Sequence, residues 1–195
     1  MLALESPVVL LGNAGTGKTT WMRWTFRQLL RRDAAVPFFF ELRAIAKDWG
    51  DREPERRTFL ALLEEEIARS GAGEPRAAVR ALLQDESGPR PVVLVDGWDE
   101  LGELGEELRA RLTELHAAWP RAQVLVSSRP YGEHRPAGCE GFATLEIQPL
   151  HDDQMRALVQ RFHRRVYGQE EDAANWPLER GRAGPRSRPH RPGSP

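Results

Sequence analysis

The stretch that decides the fold is Pro7–Thr20, PVVLLGNAGTGKTT. An apolar run ends at Gly12, and a loop of small residues leads into Gly17-Lys18-Thr19. This spacing, GxxxxGKT, is that of the P-loop, in which backbone N–H groups turn inward around a phosphate. The apolar run before the loop and a helical pattern after it supply the strand–loop–helix context that the motif requires.

Each part of this loop has a chemical role. The helix that starts near Gly17 presents unpaired N–H groups and the positive end of its dipole to an anion. Lys18 can reach β- and γ-phosphate oxygens, and the Thr19 hydroxyl can ligate Mg²⁺. We therefore predict that the triphosphate of a nucleotide is bound by nine consecutive residues. They are Gly12, Asn13, Ala14, Gly15, Thr16, Gly17, Lys18, Thr19 and Thr20.

A second informative stretch is Pro91–Leu101, PVVLVDGWDEL. Its apolar run predicts a buried strand that ends in Asp96, where a carboxylate can hold Mg²⁺ opposite the P-loop hydroxyl. Asp99 and Glu100 follow within one turn, and either can orient or deprotonate an attacking water. The alternative is a strand that leads into a helix through an acidic cap favoured by the helix dipole.

An arginine follows a further predicted strand. Gln123–Ser127 (QVLVS) is apolar and leads into Ser128-Arg129-Pro130. At the carboxyl end of a strand, the Arg129 guanidinium can sense or stabilise a γ-phosphate. An exposed arginine at a strand exit, without such a role, is the alternative.

The apolar segments alternate with helical patterns, which predicts an α/β fold with a five-stranded, mostly parallel sheet covered by helices on both faces. The predicted strands are Pro7–Leu11, Val36–Leu42, Val92–Val95, Gln123–Ser127 and Phe142–Ile147. We expect a loop over Lys47–Glu55, because Gly50 and Pro54 interrupt it. The last helix, His151–Tyr167, is predicted to bury a stripe formed by Met155, Leu158, Val159, Phe162 and Val166.

The chain is predicted to divide into a folded core, residues 1–168, and a tail, residues 169–195. The tail is rich in proline, glycine and arginine and holds almost no apolar residues, so it cannot repay the entropy of ordering and is expected to be disordered.

Composition narrows the function classes. Among 195 residues, 28 are basic and 29 acidic, so the net charge gives no reason to expect that the protein binds nucleic acid. The single cysteine, Cys139, excludes an internal disulfide framework and suits a reducing compartment. No apolar run approaches the ~20 residues that a membrane-spanning helix needs. We therefore expect a cytoplasmic protein without membrane partners, with nucleic acid an unlikely partner.

Together the segments GNAGTGKTT, VVLVDGWDEL and VLVSSRP resemble the NACHT branch of the STAND class of P-loop NTPases. PFFFELR (37–43) and QPLHDDQMRALVQRF (148–162) are similar to further segments of that family, and the resemblance covers roughly residues 7–167. It implies ATP as the nucleotide, with Mg²⁺ held by Asp96 and Thr19. It also implies that Asp99 or Glu100 polarises water, that Arg129 is a sensor arginine, and that the sensor strand lies between the other two motif strands.

The resemblance implies an ATP-binding, slowly hydrolysing module of a signal-transduction switch, with ATP and ADP as ligands. STAND proteins carry an effector domain before the NTPase, and helical, winged-helix and sensor regions after it. We therefore expect an NTPase core cut from a larger switch, whose partners are other domains or subunits. Two alternatives stay open: a small-molecule kinase with Arg129 and Arg135 as lid candidates, and a fragment that acts only by protein association.

Overall fold

The strands and helices alternate along the chain in the computed structural model, which describes residues 6–71 and 73–167 apart from the side chains of residues 163, 166 and 167. The strands are β1 (Val8–Leu11), β2 (Ala35–Glu41), β3 (Arg90–Asp96), β4 (Gln123–Ser128) and β5 (Ala143–Glu146). The helices are α1 (Lys18–Leu29), α2 (Leu42–Trp49), α3 (Phe59–Arg69), α4 (Pro75–Gln84), α5 (Leu104–Ala118) and α6 (Asp152–Tyr167).

All five strands form one sheet in the order β2-β3-β4-β1-β5, and every neighbouring pair is parallel. The predicted five-stranded α/β fold is therefore confirmed. Strand β4 lies between β1 and β3, with Val9 opposite Val126 and Val95 opposite the same residue on the other side. This is the strand order that the family resemblance implies.

Alternate residues of the sheet supply two hydrophobic layers, as the two-residue period of a strand requires. Val93 and Val95 of β3 face a large core to which α2, α3, α4 and α5 contribute. Val92 and Leu94 face the opposite side and pack with Met22 of α1. Helices thus cover both faces, and the strands are apolar on both sides because parallel strands are buried on both sides.

The predicted loop over Lys47–Glu55 is wrong at its beginning, because α2 extends to Trp49. Leu42 and Trp49 are fully buried and Ile45 is half-buried, so this helix attaches through an apolar stripe at helical spacing. Gly50 and Pro54 mark only the end of the helix and the short 3₁₀ turn after it, Pro54–Arg56.

The chain divides into two compact units, Met1–Gln148 and Pro149–Pro195. The described part of the second unit contains α6 alone, and its residues Met155, Leu158 and Phe162 are exposed. The prediction that these three are buried is wrong, since an amphipathic helix buries its stripe only where a second element covers it. The boundary at residue 168 stays a prediction, and the predicted tail lies outside the described residues.

Among the helices that the structure describes, none is both long and apolar enough to cross a bilayer.

Candidate functional site

The carboxyl ends of β1, β3 and β4 meet at one edge of the sheet, where they surround a pocket of about 350 Å³. Four separate segments supply its walls: the loop after β1 with the start of α1, the junction of β2 and α2, the turn after β3, and the end of β4 with the residue that follows it. Eight of the residues predicted from the sequence line it. They are Ala14, Gly15, Lys18, Thr19, Asp96, Asp99, Glu100 and Arg129.

The remaining P-loop residues support the loop instead of lining this pocket. The Gly12 N–H donates to the Ser128 carbonyl (3.2 Å), which ties the loop to β4. The Thr16 hydroxyl donates to the Asn13 carbonyl (2.9 Å), which closes the turn. Thr20 lies in the first turn of α1 and is exposed.

The loop ends at Gly17, the residue that precedes α1. Its φ of 89° lies in the left-handed region, which glycine adopts without steric cost. No side chain caps the first turn of the helix, so its leading N–H groups are available for an anion. Lys18 Nζ donates to the carbonyls of Gly12 (2.7 Å) and Asn13 (3.1 Å), which holds the ammonium across the loop.

Asp96, the last residue of β3, is buried and is fixed by the neighbouring strand. The Ser127 hydroxyl of β4 donates to Asp96 Oδ1, and it accepts a hydrogen bond from the Gly97 N–H (3.1 Å). Ser127 is fully buried, and the sequence analysis assigned it no role. The sequence contains one signal for it: Ser127 lies two residues before Arg129, at the end of a strand predicted to reach the site.

Asp99 and Arg129 form a two-point contact between the turn after β3 and the end of β4. The Arg129 N–H donates to Asp99 Oδ1 (3.0 Å), and Arg129 Nε lies 2.9 Å from Asp99 Oδ2. The Asp99 side chain is 11% exposed, and that of Arg129 is 40% exposed. Both carboxylate oxygens of Asp99 are therefore engaged by one arginine, while the arginine still reaches solvent at the pocket.

A second side chain affects the Arg129 guanidinium besides that of Asp99. A hydrogen bond with the Tyr131 side chain raises the pKa of Arg129, and the Asp99 carboxylate raises it further. An arginine is cationic throughout the physiological pH range, and the Asp99 contact sets its position without a ligand. Such a fixed charge at the pocket is suited to an anionic group that binds there.

Glu100 lines the same pocket and differs from Asp99 in its surroundings. Both lie in a short 3₁₀ turn, Trp98–Glu100, which follows Gly97. Glu100 is exposed, whereas Asp99 points back to β4. The structure gives the Glu100 carboxylate no hydrogen-bond partner among the described residues.

Besides Gly97 and Ser127, three further pocket residues were not predicted as site residues: Arg23, Glu41 and Arg43. Arg23 Nη2 lies 2.5 Å from Glu41 Oε1, an ion pair between α1 and the end of β2. Arg23 follows Thr19 by four residues, which places both on one face of a helix, and Glu41 pairs in register with Asp96.

Arg135 does not reach this pocket. Its Nη1 donates to the Gly132 carbonyl (2.7 Å), so the guanidinium is used within its own loop.

Three known structures have a fold similar to that of this chain. The chain is similar to AMPPCP-bound DnaA from Aquifex aeolicus (TM-score 0.54, 13% identity), covering 88% of this chain and 49% of that one. It is also similar to C. elegans PCH-2 (TM-score 0.54, 15% identity; 85% and 42%) and to the Aeropyrum pernix ORC1 protein in complex with DNA (TM-score 0.52, 20% identity; 80% and 43%). At these identities the likeness shows the fold alone, and the chain spans less than half of each neighbour.

The parallel sheet and the GxxxxGKT loop at its edge define the chain as a P-loop NTPase fold, a nucleotide-binding module. A family model described as "NACHT domain" matches residues 6–165. The chain therefore belongs to the NACHT domain family. No curated protein matches the sequence closely enough to count as a relative.

Gly97 separates the buried Asp96 from the turn that carries Asp99 and Glu100, and its φ is 88°. We predict that Gly97→Ala destabilises the fold by about 1–2 kcal/mol, the cost of a left-handed conformation for a residue with a Cβ. Gly50→Ala is the control, because Gly50 has φ −67° and open space around its Cα. That change should be neutral or stabilising by roughly 0.4–1 kcal/mol. Urea unfolding of the two variants measures both values, and equal stabilities would contradict the prediction.

Proposed function

We propose that this chain is an ATP-binding, slowly hydrolysing switch module in which water attacks the γ-phosphate. One observation carries the proposal: Lys18, Thr19, Asp96 and Arg129 come from three segments of the chain and line one pocket. These are the residue types that phosphoryl transfer needs, because its catalysis consists almost entirely of positioning and electrostatic stabilisation.

Phosphate binding would rest on the loop and the start of α1. The uncapped N–H groups after Gly17 and the dipole of α1 favour an anion at this place. Lys18 Nζ would exchange its two carbonyl partners for β- and γ-phosphate oxygens, a short movement for a side chain already lying across the loop. The charge-assisted hydrogen bonds gained are stronger than those given up.

The residues present fit Mg²⁺. Thr19 and Asp96 offer oxygen donors in one pocket, and Ser127 engages only Oδ1 of Asp96. Within the described residues, no cluster of three or more His, Cys, Asp or Glu side chains could hold a metal. Magnesium does not need one, since it is commonly bound by one or two protein oxygens together with phosphates and water. When bound, the cation would neutralise charge on the β- and γ-phosphates.

We assign the general base to Glu100 and a positioning role to Asp99. The sequence leaves both open, but the two Asp99 oxygens are occupied by Arg129, whereas Glu100 is exposed at the pocket. An acid already neutralised by an arginine is a weak acceptor for the proton of water. Asp99 would instead hold Arg129 in place for the γ-phosphate.

The proposed reaction balances without a further reactant. The water oxygen forms a bond to the γ-phosphorus, and the bond from that phosphorus to the β–γ bridging oxygen breaks. ADP leaves with the electron pair of that bond, and the Glu100 carboxylate accepts a proton from the attacking water. Arg129 and Lys18 stabilise the negative charge on the transferred group.

A switch function rests on the family. In such a module, ATP and ADP favour different conformations, and the signal is the difference between the two affinities. ATP as the nucleotide is supported by the absence of an NKxD-type guanine-reading motif from the sequence and by the AMPPCP in the DnaA neighbour. Other domains or subunits would receive the signal, and a cytoplasmic location fits this role.

Lys18→Ala tests phosphate binding. We predict loss of measurable MgATP binding, because the only lysine at the pocket among the described residues is removed. Lys47→Ala is the matched control, since Lys47 is an exposed lysine on α2. Equilibrium binding of a fluorescent ATP analogue measures both variants. Binding by Lys18→Ala as tight as that of the control would overturn the proposed site.

Glu100→Gln separates the base from the positioning acid. We predict unchanged MgATP affinity and about a 10²–10⁴-fold lower turnover, the usual contribution of a general base. Asp99→Ala and Arg129→Ala should each lower the turnover. The turnover of the double variant should be no lower than that of the slower single variant, because the two residues act as one unit. When Glu100→Gln is combined with Arg129→Ala, the turnover should instead fall by the product of the two single fold-decreases.

Single-turnover hydrolysis of radiolabelled ATP measures the rate for every single and double variant of these two double-mutant cycles. Additive losses for Asp99 and Arg129, or full turnover in Glu100→Gln, would contradict the division of roles. Loss of nucleotide binding in Glu100→Gln would contradict it as well.

A further inference from the structure

Ser127 lies one residue before the end of β4, and its side chain is fully buried beside the candidate metal site. Its hydroxyl donates to Asp96 Oδ1 and accepts a hydrogen bond from the Gly97 N–H (3.1 Å). A serine hydroxyl carries a single hydrogen, so none is left for another acceptor once it points to Asp96. This side chain is therefore committed to the carboxylate at the end of the neighbouring strand.

The Gly97 N–H fixes the direction in which the Ser127 hydroxyl donates. Because the amide hydrogen occupies one lone pair of the hydroxyl oxygen, the hydroxyl hydrogen turns away from the amide and toward Asp96. The terminal torsion of an aspartate has no sharp preference of its own, so a free carboxylate turns easily. Here that rotation would break a hydrogen bond to a charged acceptor, which is one of the stronger kinds.

The other oxygen of the Asp96 carboxylate, Oδ2, is left for the pocket. The structure gives it no hydrogen-bond donor within the described part of the chain. Asp96 is 8% exposed and lines the candidate nucleotide pocket together with Lys18 and Thr19. The carboxylate thus offers one oxygen to the pocket instead of two.

The number of carboxylate oxygens on offer affects which cation is bound. Mg²⁺ demands a near-ideal octahedron with ligands at about 2.0–2.1 Å, and it uses few protein oxygens beside phosphates and water. Ca²⁺ is larger, takes about six to eight oxygens in a flexible arrangement and accepts both oxygens of one carboxylate. A carboxylate limited to one oxygen therefore meets the needs of Mg²⁺ and withholds the second oxygen that Ca²⁺ can use.

We propose that Ser127 sets the preference of the candidate metal site for Mg²⁺ over Ca²⁺, by holding Asp96 Oδ1 and leaving only Oδ2 for the cation. Ser127 is a positioning residue, because it acts only through Asp96. The inference rests on the proposed function, since it concerns the metal that accompanies ATP. Loss of the hydroxyl frees Oδ1 and lets the carboxylate turn, which favours the Ca²⁺ complex of ATP relative to the Mg²⁺ complex.

Equilibrium binding of a fluorescent ATP analogue to the full chain tests the proposal, in saturating Mg²⁺, in saturating Ca²⁺ and in EDTA. The decisive quantity is the ratio of the affinity in Mg²⁺ to that in Ca²⁺. We expect a ratio above one for the unaltered chain and a fall of about tenfold in Ser127→Ala, the lower end of the usual cost of losing a group that orients a metal ligand. The affinity in EDTA should be the same for both, because Lys18 and the loop bind phosphate without the metal.

Ser128→Ala is the matched control. Ser128 is the next residue of β4 and is equally buried, but its hydroxyl donates to the Arg129 carbonyl (3.1 Å) and not to Asp96. The same atom is removed from the same strand, so the ratio should keep the value of the unaltered chain. Ser127→Thr retains the hydroxyl and should retain the ratio too, which separates the hydrogen bond from packing.

Equal affinities of the unaltered chain in Mg²⁺ and Ca²⁺ would overturn the inference without any variant, so the test does not depend on the folding of Ser127→Ala. Equal ratios in Ser127→Ala and Ser128→Ala would overturn it as well, as would a loss in Ser127→Thr as large as that in Ser127→Ala. These outcomes leave the proposed function standing. Absence of ATP binding by the unaltered chain in all three conditions would instead overturn the proposed function, and this inference with it.

Discussion

Parallel pairing of β4 with β1 on one side and β3 on the other brings three segments to the same edge of the sheet. The P-loop, the acidic turn after Asp96 and Arg129 are far apart in sequence, and only this pairing makes them neighbours. Because strand β4 is central, its own residues link the other two. Ser127 donates to Asp96, and the Ser128 carbonyl accepts from Gly12 of the loop. The candidate nucleotide site is therefore built around the middle strand.

The acidic turn after β3 shows how local geometry separates two similar side chains. Gly97 takes a left-handed conformation, and the following 3₁₀ turn directs Asp99 to β4 while Glu100 remains at the pocket. The Asp99 carboxylate is engaged in an ion pair with Arg129, and the Glu100 carboxylate stays accessible. An arginine held by the Asp99 carboxylate carries a permanent charge at a defined place, which costs no reorganisation when charge develops on a bound phosphate.

The fold could be predicted from the sequence because its signals are local and strong. Buried parallel strands appear as apolar runs, and the GxxxxGKT loop places one of them at a strand–helix junction. Helix α2 was missed because Gly50 and Pro54 outweighed the apolar spacing of Leu42, Ile45 and Trp49. The apolar stripe of α6 was predicted to be buried, yet an apolar pattern indicates only that a face can be covered, not what covers it.

Part of the candidate site could also be predicted from the sequence, but for a different reason than the fold. Lys18, Thr19 and Asp96 belong to motifs whose spacing alone assigns their chemistry. The partners of Asp99 and Asp96 could not be predicted, because they depend on which strand lies between two others and on the direction of one short turn. Arg23 and Glu41 were missed as site residues, since an arginine among several on a charged helix has no distinguishing pattern.

The proposed function depends most on whether the pocket at the carboxyl edge of the sheet binds a metal-bound triphosphate. Isothermal titration calorimetry of the chain with ATP, ADP and GTP, each with and without Mg²⁺, measures this directly. We expect saturable, one-to-one binding of ATP that strengthens when Mg²⁺ is present, and weaker binding of GTP. Absence of binding to any of the three, or ATP binding that is indifferent to Mg²⁺, would contradict it.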